Sequence, residues 1–297
     1  MGSFSKLKLT TADKVYQTFI MASVGLMALS CLFPLFYVLG MSFTSEWEMV
    51  KRNYFVIFPT KPIVRTYSYI LGHKYFWNSM GISVARTLLG VVASLAFNLP
   101  AGYIIAKQEL RGRKIIMIYF IVTMLLNGGI IPSYLLMNKL GLIDSFWVFI
   151  VPGFSGVFNM LIIKIFVENI PAEIMESAEM DGATEIQKLI RIAIPLLVPT
   201  IAALGLFAAV AHWNSWFDAM LYIRNQALYP VQFLIRTLMM STTQIESTTG
   251  QLTVFERITP EGVKMAAVIV AVLPILCVYP FIQKYFIYGA FTGSVKG

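Results

Sequence analysis

Charged side chains are scarce in this chain. Of its 297 residues only 13% are Asp, Glu, Lys or Arg, whereas 58% are hydrophobic and the mean hydropathy is +0.73. A soluble domain carries about 25% charged residues, so this composition excludes an ordinary water-soluble fold. It predicts that most of the protein's surface lies in lipid.

Residues that perform catalysis or hold metals are also few. The two cysteines lie far apart in apolar segments and the two histidines stand alone in the sequence, so neither a disulfide nor a metal site is expected. The chain has no G-x-x-x-x-G-K-[ST] sequence for the phosphates of ATP, no H-E-x-x-H pair, and no nucleophile elbow. We therefore predict that the chain is not an enzyme, has no catalytic residue and binds no cofactor of its own.

Long apolar segments are abundant instead. A helix that crosses a bilayer needs about 20 mostly apolar residues, and in lipid every backbone amide must be paired within the segment. Six segments meet this length: 15–42, 77–106, 115–137, 145–167, 192–217 and 263–288. The sequence therefore predicts an all-α membrane protein with six transmembrane helices, forming a single transmembrane domain over residues 1–297 with its membrane part at 15–288.

The charges between these segments predict the orientation. The short second link carries four basic residues, Lys107, Arg111, Arg113 and Lys114, and only one acid, Glu109. Short cytoplasmic loops usually carry such an excess of Lys and Arg. Both termini, 1–14 and 289–297, and the fourth link would then be cytoplasmic. This bias also accounts for the net charge of +8 without nucleic acid as a partner.

The outer loops nevertheless carry basic residues of their own. They are Lys51, Arg52, Lys61, Arg65, Lys74, Arg224, Arg236 and Arg257. One hypothesis is that they attract an acidic oligosaccharide by their positive potential. Solvated loop charges or contacts with lipid headgroups explain them equally well.

The link between the fourth and fifth segments, residues 168–191, has an unusual pattern. Pro171 suits the first turn of a helix, and residues 172–181 are a helical stretch rich in acids. Gly182 is placed to end that helix in a left-handed conformation, and Thr184 with Gln187 forms a capping box for the next helix. The pattern predicts a helical hairpin on the cytoplasmic surface, although a charge run of this kind is also compatible with a plain solvated loop.

The spacing of residues in this link resembles the pattern of a known protein family. Glu176-Ser177-Ala178, then Gly182, then Ile192-Ala193-Ile194-Pro195 is similar to the EAA loop in the membrane subunits of bacterial ABC importers. Ser177 and Ile194 depart from the usual Ala and Leu, and both changes are small. Ile170-Pro171-Ala172-Glu173, His212–Asp218 and the ending Gly293–Gly297 resemble the carbohydrate-uptake branch, in particular the smaller maltose-type permease subunit.

The resemblance implies a coupling role for the hairpin in a complex of the bacterial plasma membrane. The partners would be a second, homologous permease subunit, two cytoplasmic ABC ATPases that bind ATP and Mg, and an extracytoplasmic sugar-binding protein, which would approach the outer loop at 218–262. Substrate would cross by alternating access as the ATPases close. The coupling residues would be Glu176, Ser177, Ala178, Glu179, Asp181, Gly182 and Ala183.

The substrate pathway is less well defined. Sugars are often held by aromatic faces and amides, which Trp213, Asn214, Trp216 and Tyr222 would supply. An interfacial aromatic belt is the alternative. Arg86, inside the second segment, either packs toward the bundle interior against carbonyls or a partner subunit, or contacts substrate.

A transporter driven by an ion gradient, carrying a small polar solute, is the alternative function. Such carriers place carboxylates near the middle of the bilayer. No Asp or Glu lies within the six segments, and Asp144 and Asp218 lie at their ends. A structural or channel-forming protein would leave the acidic hairpin unexplained.

Overall fold

The computed structural model describes residues 11–126, 128–240 and 258–294, and its regular structure there is entirely helical, as predicted. The α-helices, in chain order, are α1 (Thr11–Ser42), α2 (Glu46–Lys51), α3 (Arg65–Leu71), α4 (Phe76–Ala106), α5 (Arg113–Leu125), α6 (Ile130–Lys139), α7 (Val157–Glu168), α8 (Ala172–Met180), α9 (Glu185–Lys188), α10 (Ile194–Leu196), α11 (Val198–Asn214), α12 (Phe217–Tyr222), α13 (Val231–Met240) and α14 (Pro260–Ser294). Three 3-10 turns (Phe146–Phe149, Val151–Gly153 and Gln226–Leu228) and one π-helical turn (Leu189–Ala193) lie between them.

Three helices are individually long and apolar enough to cross a membrane: Asp13–Ser42, Phe76–Ala106 and Pro260–Val278. The other three predicted segments are each divided into two helical parts, which meet at 111°, 45° and 81°. Gly129, with a φ of +88°, begins α6, and Pro199 stands in the first turn of α11. Positive φ and a missing N–H are both features that interrupt a continuous helix. Up to six spans result if each bent pair is one span, so the count of six stays a prediction.

The chain forms two compact units. The first contains Met1–Ile70 with Ser241–Val270, and the second contains Leu71–Met240 with Ala271–Gly297. The single domain over 1–297 stays a prediction.

In the first unit, Glu48 ties α2 to the loop that follows it. Its buried carboxylate accepts hydrogen bonds from Thr60 N at 2.9 Å and Thr60 Oγ1 at 2.7 Å, and Arg52 Nη2 lies 3.3 Å away. Burial raises the pKa of Glu48, but the Thr60 hydrogen bonds and the Arg52 charge outweigh it, and the pKa lies below its ordinary value. The carboxylate is therefore ionised at neutral pH and keeps this loop folded against α2.

In the second unit, α4 is the central helix, and α7 and α11 pack against it. Its buried face is a stripe of small and polar residues: Ser79, Ser83, Arg86, Gly90, Ser94, Asn98 and Gly102. Small residues let the backbones of neighbouring membrane helices approach closely. We call this set the α4 stripe.

Asn98 shows how the α4 stripe satisfies its polar groups. Asn98 Nδ2 donates to Ser94 O at 2.7 Å and to Phe154 O at 3.2 Å, and Asn98 Oδ1 accepts from Gly156 N at 3.2 Å. The amide therefore pairs the backbone groups that are left open between the 3-10 turns and α7, as a low-dielectric interior requires.

Gly102 marks the closest approach of α4 to α7. A Cβ at Gly102 would lie 2.7 Å from Ile163 Cγ2 and 2.8 Å from Met160 O. Because Met160 O is backbone, the overlap is relieved only if one helix moves. Gly81, in the same helix, has nothing within 4 Å of its Cβ position.

We predict that Gly102→Ala destabilises the protein by about 1–3 kcal/mol, the usual cost of overpacking. The matched control Gly81→Ala is expected to be neutral or to stabilise by up to ~1 kcal/mol, because alanine is the better helix former. Thermal unfolding of both purified variants in detergent measures the difference. Equal shifts in the two variants would contradict the close α4–α7 contact.

Candidate functional site

The link at 168–191 contains two helices, α8 and α9, joined by a tight turn. α8 ends at Met180, and Gly182 follows with a φ of +76°. Gly182 N donates to Glu179 O and Ala183 N donates to Ala178 O, both at 2.9 Å, so the turn satisfies carbonyls at the end of α8. The left-handed glycine is confirmed.

The start of each hairpin helix is capped differently. Thr184 and Gln187 form the predicted capping box: Thr184 N donates to Gln187 Oε1 at 2.8 Å, and Gln187 N donates to Thr184 Oγ1 at 3.4 Å. Pro171 lies one position earlier than predicted. It is the residue that caps α8, with an extended ψ of 132°, because the chain enters the helix from an extended segment.

The predicted coupling residues separate into two groups. Glu176, Ser177, Asp181 and Gly182 are exposed, whereas Ala178 and Ala183 are partly covered. Glu179 is also exposed, but its carboxylate lies 3.4 Å from Lys188 Nζ. The hairpin therefore presents a mainly acidic outer surface, on which Glu179 has a basic partner within the chain.

Apolar side chains accompany these acids on the surface. Met180 is 88% exposed and Ile186 70% exposed, and Ile174 and Ile190 are exposed as well. Four large apolar side chains on so short a segment are unusual for a solvated loop and typical of an interaction surface. We call Glu176, Ser177, Met180, Asp181 and Ile186 the hairpin surface.

Behind the hairpin surface, a network of charges ties the hairpin to α4. The Glu185 carboxylate forms ion pairs with Lys107 and with Lys188, whose Nζ lies 2.8 Å from Glu185 Oε1. It also accepts a hydrogen bond from Tyr103 Oη at 2.9 Å. We call these contacts the Glu185 network. Tyr103 lies in the last turn of α4 and Lys107 is the C-cap of that helix, so the network joins the hairpin directly to α4.

A second group of charges holds the start of the hairpin. Arg113 and Lys164 both form ion pairs with Glu168, the latter with Nζ 2.8 Å from Glu168 Oε2. Arg113 Nε also donates to Ile105 O at 2.8 Å. Two of the four basic residues of the second link, Lys107 and Arg113, therefore have structural partners in addition to their predicted role in orientation.

Sequence reasoning did not single out Glu185, Lys107 or Tyr103 as a group. Lys107 is a marker of orientation in the sequence, and Glu185 is one more acid in a polar link. Tyr103 and Lys107 lie far from Glu185 along the chain, so no local spacing in the sequence indicates that these residues are in contact.

The four predicted pathway residues are dispersed. Trp213 is buried and donates from Nε1 to Ala271 O at 3.0 Å, and Asn214 is the exposed last residue of α11. The Arg236 guanidinium lies 3.8 Å from the centre of the Trp216 ring. Tyr222 lines a cavity, and its ring stacks on that of Tyr134.

Arg86 packs toward the interior of its unit, against a carbonyl, as the first of its two interpretations predicts. Its guanidinium pairs with Asp218, donates from Nη1 to Ser215 O at 3.2 Å and lies 4.3 Å from the centre of the Phe149 ring. Asp218 was visible in the sequence only as an acid at the end of a segment. Its pairing with Arg86 is a finding of the structure.

The chain has extensive similarity to known transport proteins. The sequence pattern of the family described as "Binding-protein-dependent transport system inner membrane component" matches residues 98–288. Protein LplC of Bacillus subtilis (strain 168) is 38% identical, covering 100% of both chains. The polygalacturonan/rhamnogalacturonan transport system permease protein YtcP of the same organism is 34% identical, covering 96% of this chain and 99% of its own length.

A solved structure agrees with these matches. One chain of a bacterial ABC transporter involved in the import of the acidic polysaccharide alginate superimposes with a TM-score of 0.83. The two chains are 29% identical, and the match covers 93% of this chain and 98% of the other. The chain therefore belongs to the family of binding-protein-dependent transport system inner membrane components, the membrane permease subunits of ABC importers.

Proposed function

We propose that this chain is one of two membrane subunits of an ATP-driven importer of acidic oligosaccharides, and that the hairpin at 168–191 couples it to the ATPases. The observation that carries the coupling role is the exposed hairpin surface tied by the Glu185 network to α4. The complex would also contain a homologous permease subunit, two cytoplasmic ATPases that bind ATP and Mg, and an extracytoplasmic binding protein.

The Glu185 network supports the proposed topology. Lys107 belongs to the second link and Glu185 to the fourth, and an ion pair between them requires both links to lie on the same side of the membrane. The basic second link indicates that this side is the cytoplasm. With six spans, both termini are then cytoplasmic too. The tail at 289–297 is described only as far as Ser294, and the N-terminal residues 1–10 lie outside the described residues.

The hairpin surface has the chemistry of a docking segment. Met180 and Ile186 are the apolar contacts, which gain most from burial in a partner's cleft. Glu176 and Asp181 beside them would pair with basic residues in that cleft, where charge-assisted hydrogen bonds are strongest. Glu179 and Glu185 have partners within the chain, so we assign them to holding the hairpin in place.

Two connections carry movement from the hairpin into the membrane part. One is the Glu185 network, which leads to α4. The other is the chain itself, which runs from α9 through the π-helical turn and α10 into α11. When the ATPases close around ATP, a shift of the docked hairpin would move α4 and α11 together. Binding that is stronger in one arrangement then shifts the equilibrium between inward-open and outward-open states.

Relatives of this chain support the acidic cargo. YtcP is named for polygalacturonan and rhamnogalacturonan, and the alginate importer for an acidic polysaccharide. Both names describe polymers that contain uronic acids. Several outer basic residues already have local partners: Arg52 has Glu48, Lys51 lies over Trp47, and Arg236 lies over Trp216. Arg257 lies outside the described residues. The long-range positive potential of these loops remains, and it would favour an anionic oligosaccharide.

We predict that Gly182→Asp leaves the protein in the membrane but lowers uptake about tenfold or more, while ATP hydrolysis by the complex continues. A side chain at this positive φ costs roughly 1–2 kcal/mol, and a charge in the turn would disturb docking. Gly141→Asp is the matched control, because Gly141 has a φ of +69° and equally open surroundings but lies outside the hairpin. Uptake and hydrolysis are measured in parallel in proteoliposomes, and normal uptake by Gly182→Asp would contradict the docking role.

We also predict that Glu185→Gln lowers uptake roughly fivefold, the rate equivalent of about 1 kcal/mol, because the hairpin loses its ionic connection to α4. Lys107→Gln should have a similar effect, and the double variant should be little worse than either single one. Glu109→Gln serves as the control, because it removes an exposed acid from the link that contains Lys107. Additive effects of the two changes would show that Lys107 and Glu185 act independently.

The cargo is tested by uptake of trigalacturonate and of maltotriose, which are charged and neutral trisaccharides. We expect uptake of trigalacturonate only, and a rate that falls as salt rises from about 0.05 to 0.5 M, because screening shortens the reach of the basic loops. Uptake restricted to neutral saccharides would refute the acidic cargo.

A further inference from the structure

The second unit contains a cavity of about 380 Å³ that none of the proposed coupling contacts uses. It lies among α4, the 3-10 turns before α7, the start of α7, α11 and α12. Its polar lining residues are Arg86, Ser94, Asn159, His212, Ser215, Asp218 and Tyr222. A single water needs about 10–15 Å³ of such space, and pockets for small ligands start at about 300 Å³. The cavity therefore has room for a ring-sized polar ligand.

The Arg86–Asp218 ion pair forms one wall of this cavity. Arg86 is 1% exposed, and its Nε is buried without a hydrogen-bond partner among the described residues. Burying a charged pair costs solvation free energy, and a buried donor without a partner costs more. Inside a membrane protein, ionisable residues held at such cost usually mark a functional site.

Asp218 retains capacity for another hydrogen bond. Its Oδ1 accepts from Ala219 N at 2.8 Å and lies 3.3 Å from Arg86 Nη1, and Oδ2 pairs with Arg86 Nη2. A carboxylate has about four acceptor positions, so one is left. Asp218 is also partly exposed, whereas Arg86 is not.

These groups together select the class of ligand. A carboxylate acceptor next to a guanidinium donor complements a pair of neighbouring hydroxyl groups, each of which both donates and accepts. The Asn159 amide and the Tyr222 hydroxyl add further polar contacts on other walls. Because the ion pair has no net charge, the wall does not attract a carboxylate preferentially. Hydroxyl groups on a sugar ring fit this arrangement.

We infer that this cavity binds one pyranose ring of the transported saccharide through its hydroxyl groups, with Asp218 as acceptor and with Arg86, Asn159 and Tyr222 as further hydrogen-bonding groups. This inference rests on the proposed function and adds to it a substrate-contacting site within this subunit. Of the four pathway residues predicted from sequence, it retains only Tyr222. The competing explanation is that the ion pair only holds α4 to α12.

The test measures KM for trigalacturonate uptake by the intact importer in proteoliposomes, for Tyr222→Phe and Asn159→Ala. Neither change touches the ion pair. We expect KM to rise about 3- to 10-fold in each variant, as for the loss of one hydrogen bond, with a smaller effect on the maximal rate. Tyr134→Phe is the matched control, since Tyr134 stacks on Tyr222 but does not line the cavity, and its KM should stay unchanged.

The outcomes separate the two levels of the proposal. An unchanged KM in both variants, or an equal rise in Tyr134→Phe, overturns the ring-binding cavity and leaves the proposed function standing. If the unaltered importer does not take up trigalacturonate, the proposed function itself fails, and the cavity assignment fails with it. A rise in KM confined to the two cavity variants supports both.

Discussion

The second unit depends on the α4 stripe. Several of its positions contact different parts of the chain: Ser83 Oγ accepts from Val231 N at 2.8 Å, Arg86 pairs with Asp218, and the Gly90 position leaves room for the His212 ring. Further along, Asn98 pairs backbone groups between the 3-10 turns and α7, and Gly102 touches α7. In lipid, apolar burial between helices gains little, because the tails are as apolar as leucine. Close approach and buried hydrogen bonds must hold the helices instead, and only small or polar residues permit both.

The sequence revealed α4 as a span but did not reveal its stripe. The predicted bounds, 77–106, agree closely with Phe76–Ala106, because segment hydropathy reports whether a helix lies in lipid. It does not report which face meets protein, since lipid-facing and protein-facing sides are both apolar on average. The bends within the other predicted segments were even harder to predict from the sequence. Their breaks at Gly129 and before Pro199 follow from local backbone chemistry, but the angle at which two half-helices meet is set by packing against neighbours that a single sequence does not show.

The hairpin shows the same division between local and distant information. Gly182 and the Thr184–Gln187 capping box were predictable, because each is a contact between residues at most a few positions apart. The Glu185 network was not, because Tyr103 lies in α4 and Lys107 in the second link, both far from Glu185 along the chain. Among the acids of the hairpin, the sequence alone does not distinguish Glu176, which is exposed, from Glu179, which faces Lys188. That distinction separates acids available to a partner from acids that hold the hairpin in place.

The two connections from the hairpin differ in kind, and this difference bears on how movement would be shared. The Glu185 network meets the last turn of a long helix that carries many contacts. The other connection passes through a π-helical turn and then Pro195 and Pro199, where the regular hydrogen-bond ladder is interrupted. A displacement of the hairpin would therefore reach α4 through side-chain contacts and α11 through a stretch of backbone that can bend. Since Arg86 belongs to α4 and Asp218 follows α11, such a movement would alter the spacing across the cavity wall, which connects the state of the hairpin to the shape of the proposed sugar site.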